Sequence, residues 1–228
     1  MKILVLNAGS SSQKIRLYEL SGDEEPASTP PSPLWAADAD WGDGDHATIT
    51  LNAAGQRATS EYPGGQRADI LTHLLQQLWQ GNLPVLKEPG EIAVVGHRVV
   101  HGGAKYHKSV LITPEVQADL RALIPFAPLH EPANLEGIEI AERLLGDVPQ
   151  VAVFDTAFHH SLPLVAQVYP GPYAWFEEGI RRYGFHGISH QYCARRSAQL
   201  LGKDLAELRI VTCHLGNGCS LAAIRGGQ

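Results

Sequence analysis

The sequence predicts an α/β protein organised around two β-hairpins of the same design. Two observations carry this. Short runs with strand-like alternation take turns with longer stretches of helical period. In addition, "KILVLNAGSSSQKIRLYEL" runs from an apolar strand through a Gly-Ser turn into a second strand, and "RIVTCHLGNGCSLAAIR" repeats that plan 207 residues later. On this offset Ile3 corresponds to Ile210, Asn7 to His214 and Gly9 to Gly216. Identity between the two is slight, so what repeats is the pattern. It suggests a duplicated domain in which each half offers one turn to a shared ligand. The structural alternative is a pair of ordinary hairpins, since Gly-Asn-Gly is common turn chemistry.

The elements follow in order. Residues 2–7 and 13–20 read as strands; in the second, Ile15, Leu17 and Glu19 share one face, and Lys14, Arg16 and Tyr18 the other. Residues 21–45 hold Pro26, Pro30, Pro31 and Pro33 and read as an irregular surface excursion. "HATITL" at 46–51 alternates like a strand, and "NAAG" turns the chain. Residues 67–80 place Ile70, Leu71, Leu74, Leu75 and Leu78 on one helical stripe that stops at Gly81. "EIAVVGHRVVHGG" is a strand ending in paired glycines. Residues 114–124 and 133–145 read as helices near proline starts, and "VAVFDT" as a buried strand that ends on an acid. Residues 189–201 form a helix with Ser189 as cap and Gly202 as stop, before the final hairpin.

Composition narrows the function. Hydrophobic residues make up 44% and charged residues 18%, an ordinary globular balance. No apolar run approaches the ~18–20 residues of a membrane span. The run Ile3–Leu6 is shorter than the ~7–15 residues of a signal-peptide core. Cys193, Cys213 and Cys219 form neither a disulfide framework nor a metal spacing, and so sparse a set suits a reducing cytoplasm. The net charge of −6 is local: residues 21–45 hold seven acids and no Lys or Arg, and the rest balances 18 basic against 17 acidic residues. That argues against a nucleic-acid surface, which would need clustered Lys and Arg.

Several residues carry chemistry. In the first turn, Gly9 lets the backbone present N–H groups to an anion, Ser10, Ser11 and Ser12 add hydroxyls, and Lys14 adds a charge. That equipment suits a phosphate held in a hairpin turn, and no G-x-x-x-x-G-K-[ST] loop occurs anywhere. In "GHRVVHGG", His97 and His101 lie on one strand face roughly 13 Å apart at ~3.3 Å per residue, too far to share an ion. Arg98 faces the other way, where a guanidinium can grip a carboxylate or phosphate with two prongs; a structural ion pair is the alternative. Asp155 ends an apolar strand, a common position for an acid that binds metal or orients a reactant. Capping of the next turn by Asp155 or Thr156 is the plainer role. In "RYGFHGISH", Gly184 and Gly187 bracket His186 and imply a ligand-adjacent backbone, whereas His190 starts the helix and caps or packs. His159 and His160 lack such framing and receive no role. His130 sits in a proline-fixed loop, where packing and substrate contact compete.

Together "LVLNAGSSSQK", "GHRVVHGG", "SVLIT", "APLH", "VAVFDTAFHH", "YGFHGISH" and "HLGNG" resemble the acetate kinase family (acetate and propionate kinases) in order and spacing. The resemblance implies the ribonuclease H-like fold shared with sugar kinases, actin and Hsp70: two similar α/β domains with the active site between them. It places a first domain at 1–155, with the excursion 21–45, and the start of a second at 156–228, cut short. It implies reversible transfer of the ATP γ-phosphoryl to acetate or propionate, with Mg²⁺ as cofactor and ATP as co-substrate, in a cytoplasmic homodimer without nucleic-acid or membrane partners.

By position the resemblance puts Asn7 beside magnesium, and Lys14 with the turn residues Ser10 and Ser12 on the nucleotide phosphates. Arg98 would bind the substrate carboxylate, Asp155 would be the active-site acid, and His186 would stabilise the transition state. His214, Leu215, Gly216, Asn217 and Gly218 would line the phosphates, with Val100, Leu129 and Phe185 walling a small acyl pocket. Glu131 stands where the family usually has asparagine. The resemblance covers somewhat more than half of a usual member; a second arginine, a second magnesium-binding acid and the adenine pocket would lie beyond Gln228, so this chain alone is expected to show little activity. Two rivals remain. A non-catalytic ATP-binding module would share the fold without phosphorylating an acid. A His-rich metal hydrolase would use His186 and His190, but the chain has no H-E-x-x-H.

Overall fold

The computed structural model describes residues 1–9, 12–21, 31–41, 46–63, 66–216 and 218–228. The chain divides into two compact units, Met1–Arg98 with Val110–Ala152, and Val99–Ser109 with Val153–Gln228.

The first unit is built on strands β1 (Lys2–Ala8), β2 (Ser12–Glu19), β3 (Trp35–Trp41), β4 (His46–Ala53) and β5 (Gln56–Pro63), followed by helix α1 (Arg67–Gln80). Then come β6 (Ile92–Val99), β7 (Val110–Leu111), α2 (Pro114–Leu123), α3 (Glu131–Leu145) and β8 (Gln150–Phe154). The strands form one eight-stranded sheet in the order β5-β4-β3-β2-β1-β6-β8-β7. The β1–β2–β3–β4–β5 meander is antiparallel throughout, and β6 joins β1 in parallel.

Period-2 alternation decides the faces. Leu4, Leu6, Ile15, Leu17, Trp35, Ala37, Ala39, Ile49 and Leu51 turn inward onto Ile70, Leu71, Leu74, Leu75 and Leu78 of α1 and Ile140, Ala141 and Leu145 of α3. Each large apolar side chain buried here contributes about 1.5–3 kcal/mol. The helical stripe expected at 67–80 forms with those bounds. Asn7, Lys14 and most other polar members of the same strands fall on the opposite face, whereas Gln13 is buried on the inner one.

Two expectations are corrected. Residues 35–41 of the expected irregular excursion are strand β3, with Trp35 fully buried. Residues 22–30 and 42–45 of that excursion lie outside the described residues. Strand β5 was not expected: "QRATSEYP" is exposed along nearly its whole length and is held by its ladder to β4.

The second unit contains the end of β8, a short 3-10 turn at Ala157–Ser161, the single-turn helices α4 (Leu164–Gln167) and α5 (Ala174–Glu177), and the longer α6 (Gly187–Leu201). The hairpin of β9 (Arg209–Leu215) and β10 (Cys219–Arg225) completes it. Helix α6 packs on β9. It starts two residues before the expected 189: its N-cap is His186 in the left-handed conformation (φ 55°, ψ 26°), and Ser189 is already helical. The expected stop, Gly202, is the C-cap.

Candidate functional site

In the first unit, three polar side chains line up across neighbouring strands on the sheet face away from the helices. Lys14 of β2 is in register with Asn7 of β1, and Arg98 of β6 donates from Nη1 to Asn7 Oδ1 at 3.3 Å. A neutral amide is therefore one partner of the Arg98 guanidinium. Lys14 is exposed, and its strand neighbour Arg16 forks onto both oxygens of Asp38 at 2.8 and 3.0 Å. In the adjoining turn, the Gly9 N–H donates to the Ser12 carbonyl at 2.8 Å. Arg67 Nη2 donates to the Gly9 carbonyl at 2.5 Å while its guanidinium lies 4.7 Å from the Trp41 ring centroid. Ser10 lies outside the described residues. Arg67 was missed by the sequence reading. Its only signal is a cation in the first turn of a helix, where the helix dipole disfavours it. Burial lowers its pKa, and Glu136 opposes that shift.

His97 points into the core. It is 3% exposed, and its Nε2 donates to Gln150 Oε1 at 2.6 Å. Burial pushes its pKa down to about 4, against the pull of that hydrogen bond. It is a neutral structural histidine. Leu129, expected in an acyl-pocket wall, is 81% exposed in the α2–α3 loop.

In the second unit, Val100 is buried and Asp155 is 2% exposed. The Asp155 N–H donates to the Val99 carbonyl at 2.9 Å, and its own carbonyl accepts from the Gly187 N–H at 2.8 Å. A Cβ on Gly187 would stand 2.3 Å from that carbonyl oxygen, so only glycine fits where α6 starts. Thr156 does not cap the following turn; its Oγ1 accepts from the Gly102 N–H at 3.0 Å.

The imidazoles form a cluster. The rings of His186 and His214 stack with centroids 4.1 Å apart. His186 Nδ1 lies 2.9 Å from Ser220 Oγ, and His214 Nδ1 lies 3.0 Å from Ser189 Oγ. The Gly216–Gly218 turn closes with the Gly216 N–H on the Gly218 carbonyl at 3.1 Å. A Cβ built on Gly218 would be 3.3 Å from His186 Cε1, so the turn lies against that ring. Leu215 is 77% exposed, and Asn217 lies outside the described residues.

His190, expected to cap or pack, is 1% exposed and bonded between Thr212 Oγ1 and Ser220 Oγ, each at 2.7 Å. His159, given no role, donates from Nε2 to the Phe185 carbonyl at 3.0 Å and stands edge-on to His190. Burial lowers the pKa of both, and for His190 the neighbouring His159, His186 and His214 add to it. Phe185 packs edge-on against His101. Among the described residues, no group of three or more His, Cys, Asp or Glu is placed to hold a metal ion.

The comparisons with known proteins agree with this architecture. The structure superposes on an acetate kinase from Porphyromonas gingivalis with a TM-score of 0.83 at 40% identity, covering all of this chain and 55% of that one. It matches a propionate kinase from Francisella tularensis with a TM-score of 0.84 at 35% identity and the same coverage. The fold is therefore the α/β fold of the actin, sugar-kinase and Hsp70 class. The chain belongs to the acetokinase family, whose family model matches residues 2–228. Acetate kinases from Cyanothece sp. and Gloeobacter violaceus are 61% and 58% identical over the whole chain. The chain spans 56% of the length of each.

Proposed function

We propose that this chain supplies part of an acetate kinase, which moves the γ-phosphoryl of ATP reversibly onto acetate, or propionate, to give an acyl phosphate and ADP. The two units then correspond to a first α/β domain ending near residue 155 and the start of a similar second one. The observation that carries the reading is the stacked His186–His214 pair beside the Gly216–Gly218 turn. It joins two distant motifs of the family, and the left-handed backbone of His186 makes that placement specific.

The chemistry needs no general base, because a carboxylate is already ionised near neutrality. A carboxylate oxygen attacks the γ-phosphorus in line, the bond to the β–γ bridging oxygen breaks, and ADP leaves without a proton being moved. The obstacle is the approach of an anion to a polyanion, so positioned cations and N–H donors do most of the work. Arg98, steadied by Asn7, holds the carboxylate. His186 donates from Nε2 to the transferring phosphoryl. Lys14, Ser10 and Ser12 bind phosphates from the first turn, and His214, Leu215, Gly216, Asn217 and Gly218 from the second. Asp155 orients the start of α6 through its carbonyl, and Val100 and Phe185 limit acyl size.

Magnesium enters as part of the MgATP substrate. Such an ion keeps several waters and binds largely through phosphates, so one neutral oxygen from Asn7 fits it as a supplementary ligand. A cytoplasmic homodimer is the assembly expected for such an enzyme.

The test is acyl phosphate formation by the protein that carries this sequence, trapped as the hydroxamate, with acetate and propionate compared side by side. Carboxylate-dependent ADP release supports the reading. ATP binding with no carboxylate-dependent ADP release overturns it in favour of a nucleotide-binding module.

A further inference from the structure

Four side chains of the second unit form a continuous run: Thr212, His190, Ser220 and His186. His190 Nδ1 is 2.7 Å from Thr212 Oγ1, and its Nε2 is 2.7 Å from Ser220 Oγ. The same Ser220 oxygen is 2.9 Å from His186 Nδ1. A serine hydroxyl has one proton to give, and a neutral imidazole has one N–H. When Ser220 gives its one proton to one of the two ring nitrogens facing it, the other must supply its own, because two facing lone pairs make no bond. With the Ser220 proton spent inside the run, the three contacts can be polarised in two ways, and they reverse together.

In the first polarity Thr212 donates to His190 Nδ1, His190 Nε2–H donates to Ser220, and Ser220 donates to His186 Nδ1. The ring proton of His186 then sits on Nε2. In the second, every donor becomes an acceptor and the proton of His186 sits on Nδ1. His190 is 1% exposed, and burial, reinforced by the surrounding imidazoles, lowers its pKa. A neutral His190 has one ring proton, so its two contacts take opposite polarity.

We infer that Thr212, His190 and Ser220 are positioning residues that hold His186 as the neutral tautomer with its proton on Nε2. The direction follows from what the ring faces. Nε2 lies on the edge turned to the glycine turn, 3.5 Å from a Cβ built on Gly218, and an anionic oxygen there needs a donor. The choice of direction rests on the phosphate-binding reading of that turn. The coupling of the four groups does not. A proton at Nδ1 of His186 would require Ser220 to turn its hydroxyl out of the run.

The experiment is long-range proton–nitrogen correlation NMR on the 228-residue chain labelled with ¹⁵N-histidine, without nucleotide. His186 is assigned by the signals lost in His186→Gln. With the run held in the first polarity, the Nε2-protonated form of His186 should exceed the other by about tenfold or more. Thr212→Val keeps the side-chain shape but removes a hydroxyl three contacts away from His186, and should bring the ratio to within about threefold of unity. Thr212→Ser should restore it. A wild-type His186 that is protonated on Nδ1, evenly mixed or charged near neutral pH overturns the inference, and that spectrum needs no variant to fold. An unchanged ratio in both Thr212→Val and Ser220→Ala overturns it as well. Because no nucleotide is present, failure here leaves the phosphotransfer assay to stand on its own, and the reverse holds.

Discussion

The protonation of His97 should make the first unit acid-sensitive by a calculable amount. Its pKa falls from the ordinary 6.5 to about 4 on folding, through burial. Between those values the unfolded chain binds the proton and the folded chain does not, so stability falls as pH falls through this window and is fully present above it. At pH 5 the unfolded imidazole is almost wholly charged while the folded one stays mostly neutral. Linkage then gives a loss of about 2 kcal/mol between pH 7 and pH 5 from this one group. With a denaturant slope of about 2 kcal/mol per molar urea, the midpoint should move by about 1 M. Tryptophan fluorescence suits the measurement, because Trp35 is fully buried in this unit and Trp175, in the other, is 45% exposed. Other buried histidines titrate too, so the relevant quantity is the difference from His97→Gln, which does not titrate and keeps an N–H for Gln150. The variant should lose about 2 kcal/mol less than wild type over the same interval. Parallel pH dependences would refute the account of His97 as a neutral core group.

Other outcomes follow from the same geometry. Arg98→Ala and His186→Ala should each lower turnover about 100-fold or more in the acyl phosphate assay; a near wild-type rate for either would remove that residue from the reaction. Gly187→Ala drives a Cβ onto the Asp155 carbonyl and should cost about 1–3 kcal/mol, visible as a lower midpoint in calorimetry. Arg67→Met keeps an apolar stem over Trp41 but deletes the bond to the Gly9 carbonyl. Hydrogen exchange at the Gly9 turn should then quicken by roughly tenfold, and unchanged exchange would show that the turn holds itself.

How much was legible depended on whether a residue's neighbours are close in sequence. Helix α1 could be read because its five buried apolar residues repeat with helical period and need no partner to be recognised. The two hairpins were legible for the same local reason. Strand β3 was not. "WAADADW" is rich in alanine and aspartate, which are depleted in strands. It becomes a strand because Arg16 engages Asp38 across the ladder and its small alanines lie against the helices. Strand β5 has little apolar pattern, with Tyr62 packing on the core, so pairing with β4 chiefly defines it. At the site, glycines flanking His186 revealed an unusual backbone. His159 and His190 carry no such mark. The groups that engage His190, Thr212 and Ser220, arrive from a hairpin more than twenty residues later. Ser189 looked like a helix cap, but its hydroxyl meets His214 instead.

The polar outer strand β5 has a bearing on how the protein behaves in concentrated solution. A sheet of eight strands leaves two borders where unsatisfied backbone groups could recruit another chain. At one border β5 sets Arg57 and Glu61 along its length, ties Glu61 to Thr48 at 3.1 Å, and finishes on Pro63, which has no N–H to offer. At the other, β7 is only two residues long. Neither rim offers the long, flat, greasy template on which fibrils propagate. Replacing Arg57 and Glu61 with valine would supply one, at the far border of the same sheet face that carries Asn7 and Lys14.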